Sequence, residues 1–399
     1  MKGSLDLTKK ITPARSNITA DNAKTRILHF AKIVSRNDFV DSIISNIDDQ
    51  QYEKLVVTFE QTSLTLSPVF QEKSIKHINL NVYNARNFLK LVPALNRIIR
   101  EYQIDIVHCH LFEESILSGF LKLLNPNVKF IIGRHYSDEI YLLHTGIKRK
   151  IWLSIEGFAN NMADRIIAGS QMVFDILCRQ KVPAQKVACI PYGFDFDDHR
   201  YKKNSVSQTA SIRSAYGIKD TDLMLVNVGR LFNLKGQELL IEVFADLCQS
   251  YPQIKLLIIG DGPDREKLQK KVNAAGLKDK IVFTGWLKDA HVYLAAADIV
   301  VHPTLSEMFS QLMIEAMALG KPLIINNVSA VPDVITHKVT GLICSHRHDD
   351  WRDAVRFLLE HPEERERIGR EAERFVKTNY SIKDIIKRYE SLYESLNSK

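Results

Sequence analysis

A chain of 399 residues, 45% hydrophobic and 25% charged, has ordinary globular make-up and is long enough for two domains of about equal size. Of its net charge of +7 most lies in residues 1–200, where 26 Lys and Arg face 21 Asp and Glu, yet no arginine-rich arm or basic helix suited to reading bases occurs, which argues against nucleic acid as a partner. Five cysteines without a CxxC pair argue against a disulfide framework and a structural zinc site, and no run approaches the ~20 apolar residues of a membrane-spanning helix.

Residues 1–24 are polar, without the apolar core of a signal peptide, and read as a flexible tail; a soluble or peripheral protein in a reducing, cytoplasmic setting is expected. From there β-branched runs alternate with amphipathic stretches: Arg26–Ala31, Lys54–Phe59, Asp105–Cys109, Lys129–Ile132 and Arg165–Ala168 are expected strands of one parallel sheet. Polar Asp195–Thr209 reads as an interdomain linker. A second series then opens with Leu223–Val228 and continues through Lys255–Ile259, Lys280–Phe283, Asp298–Val301 and Pro322–Ile325. The fold class is therefore α/β, with two Rossmann-like doubly wound units.

Ligands of open α/β sheets sit outside the carboxyl ends of the strands. In the second unit those edges read Gly229-Arg230, Gly260-Asp261-Gly262-Pro263, Gly285-Trp286, His302-Pro303 and Asn326-Asn327. Glycine at three of the five suggests backbone lying close to a ligand of nucleotide size. Arg230 and Lys235, five positions apart on one loop, suit a diphosphate, one as a fork and the other as a point charge; solvated loop cations are the plainer alternative.

The strongest local signal is the loop and helix Ser306–Gly320, in which every residue from Leu312 to Leu319 except Glu315 is apolar. A carboxylate inside such a helix needs a partner, either a ribose diol or a core arginine. Free N–H groups at Phe309–Leu312 would suit a phosphate. In the first unit His108 and His110 share one face of a strand, and His135 ends the next strand; a hydrogen-bonding or packing role outranks zinc, because further ligands at recognisable spacing are lacking. Ile147–Leu153 and the helix expected over Arg86–Arg100 combine apolar and basic residues, as a membrane contact or a plain surface helix would.

Taken together, Gly229-Arg230…Lys235-Gly236, Gly260-Asp261-Gly262-Pro263 and Glu307-x7-Glu315-Ala316-Met317 resemble the retaining glycosyltransferases of family 4. Asp105–His110, Ile190–Asp195 and Val331-Pro332-Asp333…Thr340-Gly341-Leu342 extend the likeness from about Ile104 to the end. The resemblance implies the GT-B architecture, with an acceptor domain over 25–200, a donor domain over 201–380 and a C-terminal helix, 381–399, returning to the first domain. It implies an NDP-sugar-dependent hexosyltransferase acting in polysaccharide or glycolipid assembly, with a UDP- or GDP-sugar as co-substrate, a glycan or glycolipid acceptor and no metal or other cofactor. By the same likeness Arg230 and Lys235 would stabilise the departing diphosphate, Glu307 and His110 would meet the sugar, and Glu315 would hold the ribose. The donor would also touch Gly229, Gly262, Trp286, Leu287, Met308, Phe309, Ser310 and Gln311, while His135 and Asp195 would line the acceptor side.

Two departures stand out. Lys32–Asp38 lacks the glycine pair that the family commonly carries after the first strand, and Met308 stands where a glycine is usual. Two other readings compete. A non-catalytic relative that binds nucleotide or sugar would keep the fold, but the complete Arg230, Lys235, Glu307 and Glu315 set speaks against it. A dinucleotide-dependent dehydrogenase fits poorly, because Arg265 stands where the third glycine of GxGxxG belongs.

Overall fold

Two series of buried strands build two separate parallel sheets in the computed structural model, which describes residues 24–32, 39–59, 70, 72–80, 90–135, 145–307 and 309–397. The first sheet contains β1 (Thr25–Ala31), β2 (Tyr52–Thr58), β3 (Lys76–Asn79), β4 (Ile106–His110), β5 (Lys129–Arg134), β6 (Arg165–Ala168) and β7 (Val187–Cys189), in the order β3-β2-β1-β4-β5-β6-β7. The second contains β8 (Leu223–Val228), β9 (Ile254–Ile259), β10 (Ile281–Gly285), β11 (Ile299–His302), β12 (Leu323–Asn326) and β13 (Leu342–Cys344), in the order β10-β9-β8-β11-β12-β13. In both, the strand order reverses beside the first strand, between β1 and β4 and again between β8 and β11. At such a reversal the connections leave in opposite directions and open a crevice at the carboxyl edge.

Helices cover both faces of each sheet, so the strands are apolar on both sides: Leu28, Phe30, Val57 and Val107 pack in one layer, Ile27, Ile106, Ile131 and Ile167 in the other. The helix Ile382–Asn397 completes the second of these layers through Ile385, Ile386, Tyr389 and Tyr393. The chain thus crosses between domains twice. The two crossings are tied together, since Phe194 N–H donates to the Tyr380 carbonyl at 2.8 Å and Ile382 N–H to the Phe194 carbonyl at 2.9 Å.

The stretch expected to be a linker is structured. His199–Tyr201 forms a helical turn that buries Tyr201, and Ser205 caps the helix Val206–Ala215 by accepting from the Gln208 N–H at 3.2 Å. Arg213 is the only buried residue of that helix, so its sequence carries no apolar period to reveal it. The helix expected over Arg86–Arg100 is described from Leu91 to Glu101, and its apolar face, Leu91, Leu95, Ile98 and Ile99, lies in the core. The tail over residues 1–23 lies outside the described residues.

Candidate active site

Gly236 fixes the loop after β8. Its φ of +70° is a left-handed conformation, and an added Cβ would stand 2.1 Å from the Pro303 carbonyl oxygen. Leu305 N–H meanwhile donates to the Leu234 carbonyl at 2.7 Å, so the loops after β8 and β11 are zipped backbone to backbone. That contact sets Lys235 Nζ 2.8 Å from Glu307 Oε2, and His302 Nε2 approaches the same oxygen at 2.9 Å. Burial pushes the Glu307 carboxyl up, but the hydrogen bonds and charges of His302 and Lys235 outweigh it and hold the group below its ordinary value. The result is a fixed carboxylate with a cation beside it at the second switch point.

The next helix, Gln311–Ala318, begins at Ser310, whose hydroxyl accepts from the Met313 N–H at 3.2 Å, and it stops before Gly320, at φ +70°. The cap takes up one donor of the first turn, so the anion site expected over Phe309–Leu312 is left with the preceding N–H groups. Glu315 lies one turn on. Gln311 Nε2 donates to its Oε1 at 2.9 Å, and it forms no ion pair among the described residues. The nearby Arg200 is held by Asp198 at 3.1 Å. Burial raises the Glu315 carboxyl above its ordinary value, against the lowering effect of the Gln311 bond and the Arg200 charge. Among the described residues, Gln311 is therefore the one hydrogen-bond partner of this acid in an otherwise apolar helix.

This raised value gives a test. Folding shifts Glu315 toward its protonated form relative to the unfolded chain, so its cost to stability appears as pH rises through the unfolded carboxyl range and persists above the folded value. Glu315→Gln is expected to melt above the wild type at neutral pH, with the gap closing in acid. Equal melting temperatures at neutral pH would contradict it.

A cavity of about 430 Å³ opens between the domains, with Phe39 and Tyr192 on one side, Phe309 and Gln311 on the other and Asp195 at its edge. The Tyr192 and Phe309 rings meet edge to face at 4.9 Å, and Phe194 stacks on Phe309 at 6.0 Å. Aromatic walls with carboxylates at the rim suit a ligand that is apolar on its faces and hydroxylated at its edges.

The family model for Glycosyltransferase Family 4 matches residues 39–198, and that for Glycosyl transferases group 1 matches residues 208–375. The chain belongs to glycosyltransferase family 4. It is similar to alpha-D-kanosaminyltransferase of Streptomyces kanamyceticus, 28% identical over 286 residues that span 69% of this chain and 73% of that one. N-acetyl-alpha-D-glucosaminyl L-malate synthase of Bacillus anthracis is 23% identical over 336 residues, 82% of this chain and 85% of its own. Among solved structures, Anabaena HepE in complex with UDP superposes with a TM-score of 0.77 at 19% identity, over 94% of this chain and 100% of that one, a likeness of fold.

The glycosyltransferase's first switch point holds a chain of buried imidazoles. Tyr192 Oη faces His135 Nδ1 at 3.2 Å, His135 Nε2 faces His110 Nδ1 at 3.5 Å, and His110 Nε2 faces His29 Nδ1 at 3.2 Å. His108, on the same face of β4 as His110, turns to Tyr393 Oη at 2.9 Å. His110 is thus enclosed, with both ring nitrogens engaged, and reaches the cavity only through His135 and Tyr192. Burial drives the pKa of His110 down to about 3 and holds His29, His108 and His135 well below the ordinary histidine value. The unfolded chain takes up these protons near pH ~6.5, so stability is full above that and falls as pH drops, by about 1.4 kcal/mol per pH unit for each such histidine. Urea unfolding is expected to show this loss on mild acidification; a flat profile between neutral pH and pH ~5 would contradict it.

The remaining site residues are scattered in role. The added Cβ of Gly262 would stand 2.3 Å from the Leu231 carbonyl oxygen, and that of Gly260 2.0 Å from the Gly229 carbonyl oxygen. These glycines let two loops of the chain itself approach each other. Arg230 extends over the Phe232 ring at 5.7 Å, exposed and without an ion pair among the described residues. Trp286 is 72% exposed, while Leu287 packs on the core. Met308 and residues 33–38 lie outside the described residues. In sequence His302 stands out only as the last residue of a strand, and Arg200 carries no signal of a role. A histidine ending a buried strand has no periodicity to mark it as a partner of an acid five residues on.

Proposed function

We propose that this glycosyltransferase moves a sugar from a nucleoside diphosphate to a glycan or glycolipid acceptor, retaining the anomeric configuration. The observation that carries the proposal is the Lys235–Glu307–His302 cluster, set at a strand-order reversal beside a helix whose one acid, Glu315, accepts a hydrogen bond from Gln311 and forms no ion pair among the described residues. A donor with its ribose at Glu315 brings its diphosphate to the first turn of that helix and to the Lys235 loop. There Arg230, Lys235 and the free N–H groups supply positive charge as the sugar–oxygen bond breaks. Glu307, kept ionised, stabilises positive charge growing on the sugar. The acceptor enters through the aromatic cavity, and the diphosphate's own oxygen accepts the proton of the attacking hydroxyl. Neutralisation by these groups needs no metal ion or other cofactor.

Support comes from the relatives. The Anabaena HepE structure contains UDP, and the names of both enzyme relatives carry the alpha configuration. Incubation with UDP-, GDP- and ADP-sugars, followed by assay of released nucleoside diphosphate and by NMR of the product anomer, tests the reading. One donor is expected to be consumed with its configuration kept. Nucleotide binding without turnover would favour the non-catalytic reading, and an inverted product would overturn retention.

A further inference from the structure

The helix Gly146–Met162 has a buried side and an outward apolar stripe. Glu156, Ala159 and Asn160 face the domain and are buried, and Trp152 meets Phe112 at 5.5 Å. At ~100° per residue Ile147, Ile151 and Phe158 fall within about 40° of one another on the opposite side. Ile147 is 76% and Ile151 53% exposed. Phe158 carries the stripe across to the neighbouring helix Phe112–Leu124, where it lies over Gly119 and meets the Phe120 ring at 5.5 Å. Phe120, Leu123 and Leu124 are exposed in turn. From Ile147 to Phe158 the stripe runs about 16 Å along the helix.

Lys148 and Lys150 flank its exposed end, each about 80° from the stripe's centre line, while Arg149 between them points to the other side of the helix. None of them forms an ion pair among the described residues, and no acid stands in that first turn. Cations there oppose the helix dipole, so helix stability does not account for them. The helix joins parallel β5 to β6 and must therefore start on the carboxyl-edge side of the sheet, where the cavity opens.

We infer that this face docks on an anionic lipid surface, with Ile147 and Ile151 entering the headgroup layer and Lys148 and Lys150 meeting lipid phosphates. An outward apolar stripe ending in unpaired cations matches an interface that is apolar below and anionic above. Docking would hold the cavity mouth near the membrane, where a glycolipid acceptor resides. The surface stands on its own observations, apart from the donor site.

Co-sedimentation of the full chain with phosphatidylcholine vesicles, with and without phosphatidylglycerol, tests the inference, with UDP, GDP and ADP binding measured in parallel. Binding is expected only to vesicles containing phosphatidylglycerol, falling as salt rises. Lys148→Gln/Arg149→Gln/Lys150→Gln should weaken it roughly 25-fold, because each of the two cations flanking the stripe contributes about fivefold. Ile147→Ser/Ile151→Ser should lower the bound fraction, and both variants should keep nucleotide binding. Equal binding to both vesicle types, or full binding by the triple variant, would overturn the inference. So would binding to polyglutamate with none to vesicles, which would assign the cations to an acidic protein. Loss of nucleotide binding with vesicle binding intact would strike the proposed function alone.

Discussion

Lys235→Ala is expected to lower the rate of donor turnover by a factor of ~100–1,000 while leaving the melting temperature close to that of the wild type. Lys235 Nζ lies 2.8 Å from Glu307 Oε2 on a surface that is partly open, so truncation removes charge at the reacting centre without opening a core cavity. Removing one preorganised group that stabilises charge in a transition state typically costs about 2.7–4 kcal/mol of barrier. His302 stays against Glu307 at 2.9 Å in the variant, which keeps the carboxylate from being left without a partner. Michaelis–Menten kinetics on the preferred donor separate the outcomes. A fall in kcat is expected, whereas an unchanged kcat with a raised KM would assign Lys235 to ground-state binding.

Gly236→Ala is expected to damage both folding and catalysis. The new Cβ would sit 2.1 Å from the Pro303 carbonyl oxygen, in a backbone held at φ +70°. A side chain in the left-handed region costs about 1–2 kcal/mol, and forcing an extra carbon against packed backbone about 1–3 kcal/mol more. The loops after β8 and β11 must part to admit it, which carries Lys235 away from Glu307. Unfolding by urea should show a loss of about 2–5 kcal/mol, together with reduced turnover by the folded fraction. Gly217→Ala is the control. That glycine has φ +62° but nothing within 4 Å of an added Cβ, so its cost should be confined to the backbone and spare activity.

Much of this fold was legible because its central strands are buried on both faces. Continuous apolar runs such as Leu223–Val228 and Arg165–Ala168 announce themselves without alternation. The strands left unread, Lys76–Asn79, Val187–Cys189 and Leu342–Cys344, all lie at sheet edges. An edge strand is short and partly exposed, so its sequence resembles a loop. Glu315 was readable for the converse reason, as one acid among apolar neighbours. Its closeness to Arg200 was not, because that depends on how the crossing segment folds back between the domains. Gly260 and Gly262 mark a close approach of backbone, and only the fold reveals that the loop after β8 is one of the approaching groups. Likewise HxH spacing places His108 and His110 on one face, but only the sheet order brings His29 beside them.

Calorimetric titration with UDP, GDP and ADP, on the wild type and on Glu315→Ala, tests the donor site most directly. One nucleoside diphosphate is expected to bind the wild type and to lose most of its affinity when the ribose-holding carboxylate is removed. Failure of all three to bind, or binding by Glu315→Ala as tight as by the wild type, would contradict the account.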